Sequence, residues 1–188
     1  MTPALILVDI QMAFHDRAYW GARNNDDAET KAAQLLRHWR AKAAPLVHIR
    51  HISTNPNSPL AANKPGTAFM EALAPLAGET VFEKSANAAF IGTPLNSHLR
   101  GLGLTQVVIC GLTTPHCVSS TCRMAANLGF ATTLAHDACA AFTSCAATGW
   151  NPALPAMGAE DIHNAAVSHL HGECLTARAT GDILADLP

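Results

Sequence analysis

The segment Gln106-Val-Val-Ile-Cys110-Gly111-Leu-Thr-Thr-Pro-His-Cys117 decides the fold. Its first five residues are a mostly apolar run, which is typical of a strand buried on both faces of a parallel sheet. We expect Gly111 to break that strand. Residues 115–128 then predict a helix that Gly129 closes. A buried strand followed directly by a helix is the repeating unit of a parallel α/β sheet.

The same alternation of strand and helix extends along the chain in both directions. Strands are predicted at 4–8, 45–49, 80–82, 106–110, 131–134 and 174–179, and helices at 28–43, 68–73, from Thr93-Pro94 onward, at 115–128 and at 160–171. The proline-rich stretches 53–66 and 149–158 are expected to be loops. We therefore predict one α/β domain over residues 1–188, a three-layer α/β/α fold with a six-stranded, mostly parallel sheet and right-handed crossovers.

Composition narrows the class of protein. The 188 residues are 49% hydrophobic and 14% charged, with a formal net charge of -2. The chain has no basic run, which argues against nucleic acid and anionic membrane as main partners. No apolar segment approaches the roughly 20 residues of a membrane span. The start shows no signal pattern and the six cysteines form no CxxC pair, so we expect a cytoplasmic protein with reduced thiols.

Reactive side chains fall where the predicted strands end. Asp9 follows the first strand, His48 and His51 flank the end of the second, Lys84 follows the third, and Cys117 lies just past the fourth. Ligands of open α/β sheets bind beyond the carboxyl ends of the strands. We therefore expect an acid, a cation and a thiol to meet at one edge of the sheet.

Cys117 is placed for nucleophilic chemistry. A thiol at a helix N-terminus feels the partial positive charge of unpaired N–H groups, which is expected to lower its pKa. A nearby carboxylate can accept the thiol proton, and a lysine can keep that carboxylate ionised. The loop from Gly111 to Cys117 could direct backbone N–H groups at a developing oxyanion.

Four pieces of the chain resemble one known superfamily in order and spacing. They are Leu7-Val-Asp9-Ile-Gln11-Met-Ala-Phe14, then Phe82-Glu-Lys84-Ser-Ala-Asn-Ala-Ala-Phe90-Ile-Gly-Thr93-Pro-Leu95, then Gly111-Leu-Thr-Thr-Pro-His-Cys117-Val-Ser-Ser-Thr121-Cys-Arg123-Met-Ala125-Ala-Asn-Leu-Gly129-Phe, and His136-Asp137-Ala138. The superfamily is that of the isochorismatase-like cysteine hydrolases, which includes nicotinamidases, carbamoylsarcosine amidohydrolases and ureidoacrylate amidohydrolases. The resemblance runs from about residue 4 to residue 187.

The resemblance implies a set of roles for these residues. Asp9 would be the general base, Cys117 the nucleophile and Lys84 the third member of a catalytic triad. A cis peptide bond between Leu112 and Thr113 would aim the N–H groups of Thr113 and Cys117 into an oxyanion hole. The implied reaction is hydrolysis of a C–N bond in a small amide, carbamoyl or ureido compound through a thioester, without a cofactor, in a homodimer or homotetramer.

Alternatives remain open at the level of the sequence. The metal-dependent nicotinamidases carry an Asp-x-His pair after the second strand, and residues 48–55 lack it, so no metal is expected. The isochorismatase branch cleaves a vinyl ether and lacks the nucleophilic cysteine, so Cys117 favours amide-type chemistry. Vinyl-ether or lactam hydrolysis on the same scaffold, and a non-hydrolytic small-molecule-binding or redox-sensing protein, are the alternative functions.

A second group of residues are candidate substrate contacts. It consists of Gln11, Phe14, Trp20, His51, Phe90 and His116. For His116, a solvent-facing position in the first helical turn is an equally good interpretation. The aromatic residues are as often part of a core as of a pocket wall.

Overall fold

Six parallel strands form a single sheet in the computed structural model, which describes residues 2–187. The strands are β1 (Ala4–Val8), β2 (Leu46–His51), β3 (Thr80–Lys84), β4 (Gln106–Leu112), β5 (Ala131–Ala140) and β6 (Thr176–Arg178). Their order across the sheet is β3-β2-β1-β4-β5-β6. The order reverses between β1 and β4, so the central edge of the sheet at their carboxyl ends is the crevice where such folds bind ligands. The predicted α/β fold is confirmed.

Six α-helices lie among residues 2–187, five of them between successive strands and the last after β6. They are α1 (Arg17–Trp20), α2 (Ala28–Ala41), α3 (Leu95–Gly101), α4 (Ser119–Asn127), α5 (Ala159–Ser168) and α6 (Thr180–Asp186). Short 3₁₀ turns lie at Met12–His15, Pro65–Thr67, Glu71–Leu73 and Thr143–Cys145, and a single π-helical turn spans Thr114–Val118. Among residues 2–187, no helix combines the length and apolar character needed to cross a bilayer.

Apolar periodicity explains the central elements. All five residues of β1 are buried, as expected for a strand covered on both faces. In α2, the residues Ala28, Ala32, Leu35, Leu36 and Trp39 are buried. Their spacing of three and four residues places them on one helix face. The indole N–H of Trp39 donates to the carbonyl of Pro3 at 2.8 Å, which satisfies the one polar atom of this buried ring.

The structure corrects several predicted boundaries. β4 does not break at Gly111 but continues to Leu112, with an irregular register against β5 between Ile109 and Gly111. β5 runs six residues past its predicted end at 134. The last strand is only three residues long and is followed by α6, which was not predicted. The strand boundaries depend on pairing with neighbouring strands, which local sequence patterns do not report.

Candidate active site

Asp9 lies at the carboxyl end of the central strand β1. Its backbone adopts a left-handed conformation with φ of 52°, and its N–H donates to the carbonyl of Ile49 at 3.0 Å. Aspartate tolerates this conformation better than most residues, and such backbone strain is often found at functional sites. Asp9 is thus turned out of the strand direction while remaining fully buried.

Lys84 and His51 face Asp9 from β3 and β2, which lie on the same side of β1 in the sheet. They are register partners on β3 and β2, so their side chains emerge on the same face of the sheet. The Lys84 ammonium donates to Asp9 Oδ2 at 2.6 Å and lies 3.0 Å from His51 Nδ1. An ammonium has only hydrogens to give, so His51 Nδ1 is the acceptor and the ring proton resides on Nε2.

The thiol of Cys117 lies in the segment that follows β4. Gly111 has a φ of 130°, and a Cβ at this position would lie 2.0 Å from the carbonyl oxygen of Val8. Only glycine lets β4 pass this close to β1. The peptide bond between Leu112 and Thr113 is cis. The π-helical turn Thr114–Val118 then carries Cys117, which is half-buried, directly into α4.

The three strand ends and the turn bring their reactive atoms together. A carboxylate oxygen of Asp9, a ring nitrogen of His51 and Cys117 Sγ lie within 4.8 Å of one another. Asp9 Oδ2 is occupied by Lys84, whereas Asp9 Oδ1 is buried and has no hydrogen-bond partner among residues 2–187. A buried carboxylate oxygen without a donor is costly, and it is a strong base for a nearby proton.

Burial dominates the electrostatics of the site. Removal from water raises the pKa of Asp9, and the charge of Lys84 opposes this rise. Burial and the neighbouring Asp9 carboxylate also raise the pKa of the Cys117 thiol. This corrects the expectation that the helix N-terminus lowers it. The resting site therefore holds a neutral thiol next to an ion pair, and the thiolate forms only when its proton is taken.

His51 is held in its neutral form. Burial lowers its pKa to about 4, and the neighbouring Lys84 charge acts in the same direction. At neutral pH, His51 therefore presents an Nε2–H donor to its surroundings.

A metal ion would meet a cation already in place. Asp9, His51 and Cys117 offer ligand atoms at metal-binding spacing. However, the Lys84 ammonium is bonded to Asp9 and contacts His51 at the same time. A divalent ion would have to displace this charge or lie beside it, at a large electrostatic cost. The donor set suits an ammonium better than a metal ion.

Gln11 has a different task from the predicted substrate contact. Its side-chain Oε1 accepts from the N–H of His51 at 2.8 Å, and its Nε2 donates to the carbonyls of His51 and Thr67. The amide is fully buried and its hydrogen-bonding groups are in use. Gln11 thereby fixes the backbone of His51.

The predicted aromatic contacts separate into two places. Phe14 packs against Trp20 and Phe142, with ring centroids 4.8 and 5.9 Å away. Phe14 also lines a cavity of about 480 Å³ whose walls do not include Asp9, Lys84 or Cys117. Phe90 is buried and stacks on Phe130 at 5.9 Å. Phe90 therefore packs in the apolar core.

The two remaining histidines differ in position. His116 precedes Cys117 in the turn, and its Nδ1 lies 3.4 Å from the hydroxyl of Thr113, while burial lowers its pKa. His48 was expected near the edge of the sheet. It lies instead within β2, where its Nε2 is 2.9 Å from a carboxylate oxygen of Glu79.

Sequence reasoning missed Asn87 as a site residue. Its Oδ1 lies 3.7 Å from Cys117 Sγ, which makes it a hydrogen-bond acceptor for the thiol. Asn87 lies three residues after Lys84, in the loop that follows β3. Its place within the second quoted segment was the available signal, but the sequence could not show that this loop folds over the thiol.

Known proteins agree with this fold and identify the family. The family model for the isochorismatase domain matches residues 3–176. The chain is 42% identical over 183 residues to the isochorismatase family protein YrdC of Bacillus subtilis, covering 97% of this chain and 95% of that protein. A crystal structure of an isochorismatase-family protein from Chromobacterium violaceum superposes with a TM-score of 0.90 at 41% identity, covering 98% of this chain and 92% of the other.

Relatives named for their reactions are more distant. Streptothricin hydrolase of Streptomyces noursei is 32% identical over 154 residues, 81% of this chain and 60% of that enzyme. Shorter stretches match maleamate amidohydrolase of Pseudomonas putida, with 37% identity over 73 residues, 39% of this chain and 34% of that enzyme. Ureidoacrylate amidohydrolase of Methylobacterium radiotolerans matches at 43% identity over 56 residues, 30% of this chain and 22% of that enzyme.

Proposed function

The chain belongs to the isochorismatase family of hydrolases, and from this premise we propose that it is a cysteine-dependent amidohydrolase. Its substrate class is a small amide, carbamoyl or ureido compound, and the bond cleaved is C–N. One observation carries the proposal. Asp9 is paired to Lys84 through one oxygen, its other oxygen is buried with no hydrogen-bond partner among residues 2–187, and a carboxylate oxygen lies within 4.8 Å of Cys117 Sγ.

This arrangement favours proton transfer at the moment of attack. The raised pKa of the Cys117 thiol keeps it protonated at rest, and the raised pKa of Asp9 makes that carboxylate a better base than an exposed aspartate. Asp9 Oδ1 takes the thiol proton as sulfur adds to the substrate carbonyl carbon. Lys84 holds Oδ2 and offsets the negative charge that the site gains.

Collapse of the tetrahedral adduct completes the first half of the reaction. The proton on Asp9 passes to the nitrogen, which leaves as ammonia or an amine, and the acyl group remains on Cys117 as a thioester. A water molecule then loses its proton to Asp9 and attacks the thioester, releasing the acid and restoring the thiol. The N–H groups of Thr113 and Cys117 are proposed to bind the oxyanion in both halves.

Two neighbours of the thiol complete the proposed site. At rest the Cys117 S–H can donate to Asn87 Oδ1, an acceptor 3.7 Å from the sulfur, and it turns toward Asp9 for attack. His51, with its proton on Nε2, supplies a neutral donor for a polar group of the substrate. A site that offers such a donor discriminates against substrates that lack an acceptor at that position.

The test is ammonia release from a panel of small amides and ureides. Cys117→Ala is expected to abolish turnover, while Cys174→Ala, which removes a second half-buried thiol, keeps it. Intact-protein mass spectrometry of the wild type should show the acyl adduct on Cys117. Turnover by Cys117→Ala at the wild-type rate would sink the assignment of the nucleophile.

Assembly is a separate expectation. We propose that the protein forms a homodimer or homotetramer, as the resemblance implies. Light scattering coupled to size-exclusion chromatography measures this directly, and a monomer of 19.7 kDa would contradict it.

A further inference from the structure

Thr114 anchors the turn that carries the thiol at two points. It is fully buried and opens the π-helical turn Thr114–Val118. Its carbonyl accepts from the N–H of Ser119, which closes the turn around Cys117. Its hydroxyl lies 2.9 Å from Nδ1 of His163. The backbone contact belongs to the turn itself, whereas the hydroxyl contact ties the turn to another part of the molecule.

His163 provides that second point from α5. It lies 49 residues further along the chain and is 3% exposed, so the contact with Thr114 is sealed from water. Burial lowers the pKa of His163, which keeps the ring neutral. A hydrogen bond between two buried side chains is costly to leave half-made, so each partner restrains the other.

We propose that His163 is a positioning residue for the nucleophile, acting through the Thr114 hydroxyl to fix the turn that holds Cys117. The inference rests on the proposed function for its catalytic consequence, since the turn matters to turnover only if Cys117 attacks. The reasoning is geometric. Cys117 is three residues from Thr114, and a displacement of about 1 Å at a reacting atom is enough to cost up to roughly 100-fold in rate.

Matched variants separate the hydrogen bond from the bulk of the side chains. Thr114→Val and His163→Leu remove the bond. Thr114→Ser keeps the hydroxyl, and His163→Asn places an amide near the position of Nδ1, so both conservative variants can keep it. The double variant Thr114→Val with His163→Leu tests whether the two side chains act through each other.

The first readout is the rate at which iodoacetamide alkylates Cys117, followed by peptide mass spectrometry without substrate. Releasing the turn exposes the thiol to solvent, so Thr114→Val and His163→Leu should each react several-fold faster at Cys117. Cys174 is also half-buried and Cys110 is fully buried. Both should react at the wild-type rate, which distinguishes a loosened turn from a loosened protein.

The second readout is steady-state kinetics on any amide that the wild type hydrolyses. The two disrupting variants should lower kcat about 10- to 100-fold with KM within about threefold, because they misplace the attacking atom rather than the substrate pocket. The double variant should be no slower than either single one. Thr114→Ser and His163→Asn should restore most of kcat.

Three results would overturn the inference: wild-type alkylation of Cys117 in both disrupting variants, additive losses in the double variant, or equal losses in the conservative pair. Failure of the proposed function looks different. It appears as turnover that survives Cys117→Ala, and it leaves the alkylation result unaffected.

Discussion

Two carboxylate–cation pairs lie near opposite ends of β3, and they differ in how completely the carboxylate is hydrogen-bonded. At the carboxyl ends, Asp9 meets Lys84 through one oxygen only. At the other end, just before β3, both oxygens of Glu79 are bonded: Arg40 reaches both of them at 2.7 and 2.9 Å, and the N–H of Leu76 donates at 2.8 Å. His48 adds a further contact at 2.9 Å.

The difference appears in the acidity of the two carboxyl groups. The pKa of Glu79 is lowered to about 2, mainly by its hydrogen bonds to Arg40. Burial instead raises the pKa of Asp9, because the charge and hydrogen bond of Lys84, together with the Cys117 thiol, do not compensate for the loss of water. A fully satisfied carboxylate is a weak base and a good structural anchor. A carboxylate with only one bonded oxygen remains a stronger base.

Removing the base should have the largest effect on activity. Asp9→Asn keeps the size of the side chain but cannot take the thiol proton, so we expect kcat/KM to fall by about 10³-fold or more. The measurement is initial rates at equal concentrations of folded protein, checked by circular dichroism. An Asn variant that retains a tenth of the wild-type activity would show that another group is the base.

Removing the charge of Glu79 should lower stability and leave activity unchanged. Glu79→Gln loses the charge that Arg40 grips, so we expect the free energy of unfolding to fall by about 2 kcal/mol while kcat per folded molecule is kept. Urea titration measures the free energy of unfolding. Rates normalised to the concentration of active sites measure kcat. A large loss of kcat at unchanged stability would place Glu79 in the catalytic machinery and remove the contrast.

One group from each end should contribute to the pH dependence of the free energy of unfolding, and burial lowers the pKa of His48 in the same direction as that of His51. The pKa of His51 is about 4 in the folded protein and about 6.5 when unfolded, so stability is lost as pH falls from 6.5 toward 4. The pKa of Glu79 is about 2 when folded and 4.5 when unfolded, so its stabilisation is lost between pH 4.5 and 2.

Urea midpoints measured across this range check the assignment. His51→Gln should flatten part of the slope above pH 4, and Glu79→Gln should flatten part of the slope below pH 4.5. Unchanged slopes in both variants would mean that other titrating groups govern acid denaturation.

An ion pair at the surface should contribute least to the free energy of unfolding. Glu83 pairs with Arg50, but its side chain is 53% exposed, so the pair is screened by water. Glu83→Gln should change the free energy of unfolding by less than about 0.5 kcal/mol and leave kcat unaltered. This variant is the matched control for Glu79→Gln, because both glutamates flank or lie in β3. A larger cost at Glu83 would undermine the use of burial to rank these pairs.

Sequence reasoning reached the fold and the three reactive residues, but not the shell around them. β1 and β4 can be predicted from the sequence because continuous apolar runs are typical of strands buried on both faces. Asp9, Lys84 and Cys117 are predictable because parallel strands bring their carboxyl ends to one edge. The Gln11 amide, read as a substrate contact, instead holds the backbone of His51. No local pattern distinguishes these two uses of a buried amide.

The sequence by itself therefore determined which groups could meet: an acid, a cation and a thiol at the ends of three strands of one parallel sheet. Only the tertiary structure decided what state they meet in. Two contacts join residues far apart in the sequence. The hydrogen bond from Lys84 to Asp9 spans 75 positions, and the contact of Thr114 with His163 spans 49. Desolvation and long-range hydrogen bonds depend on packing in three dimensions, and they set the acidity of a carboxylate and the aim of a thiol.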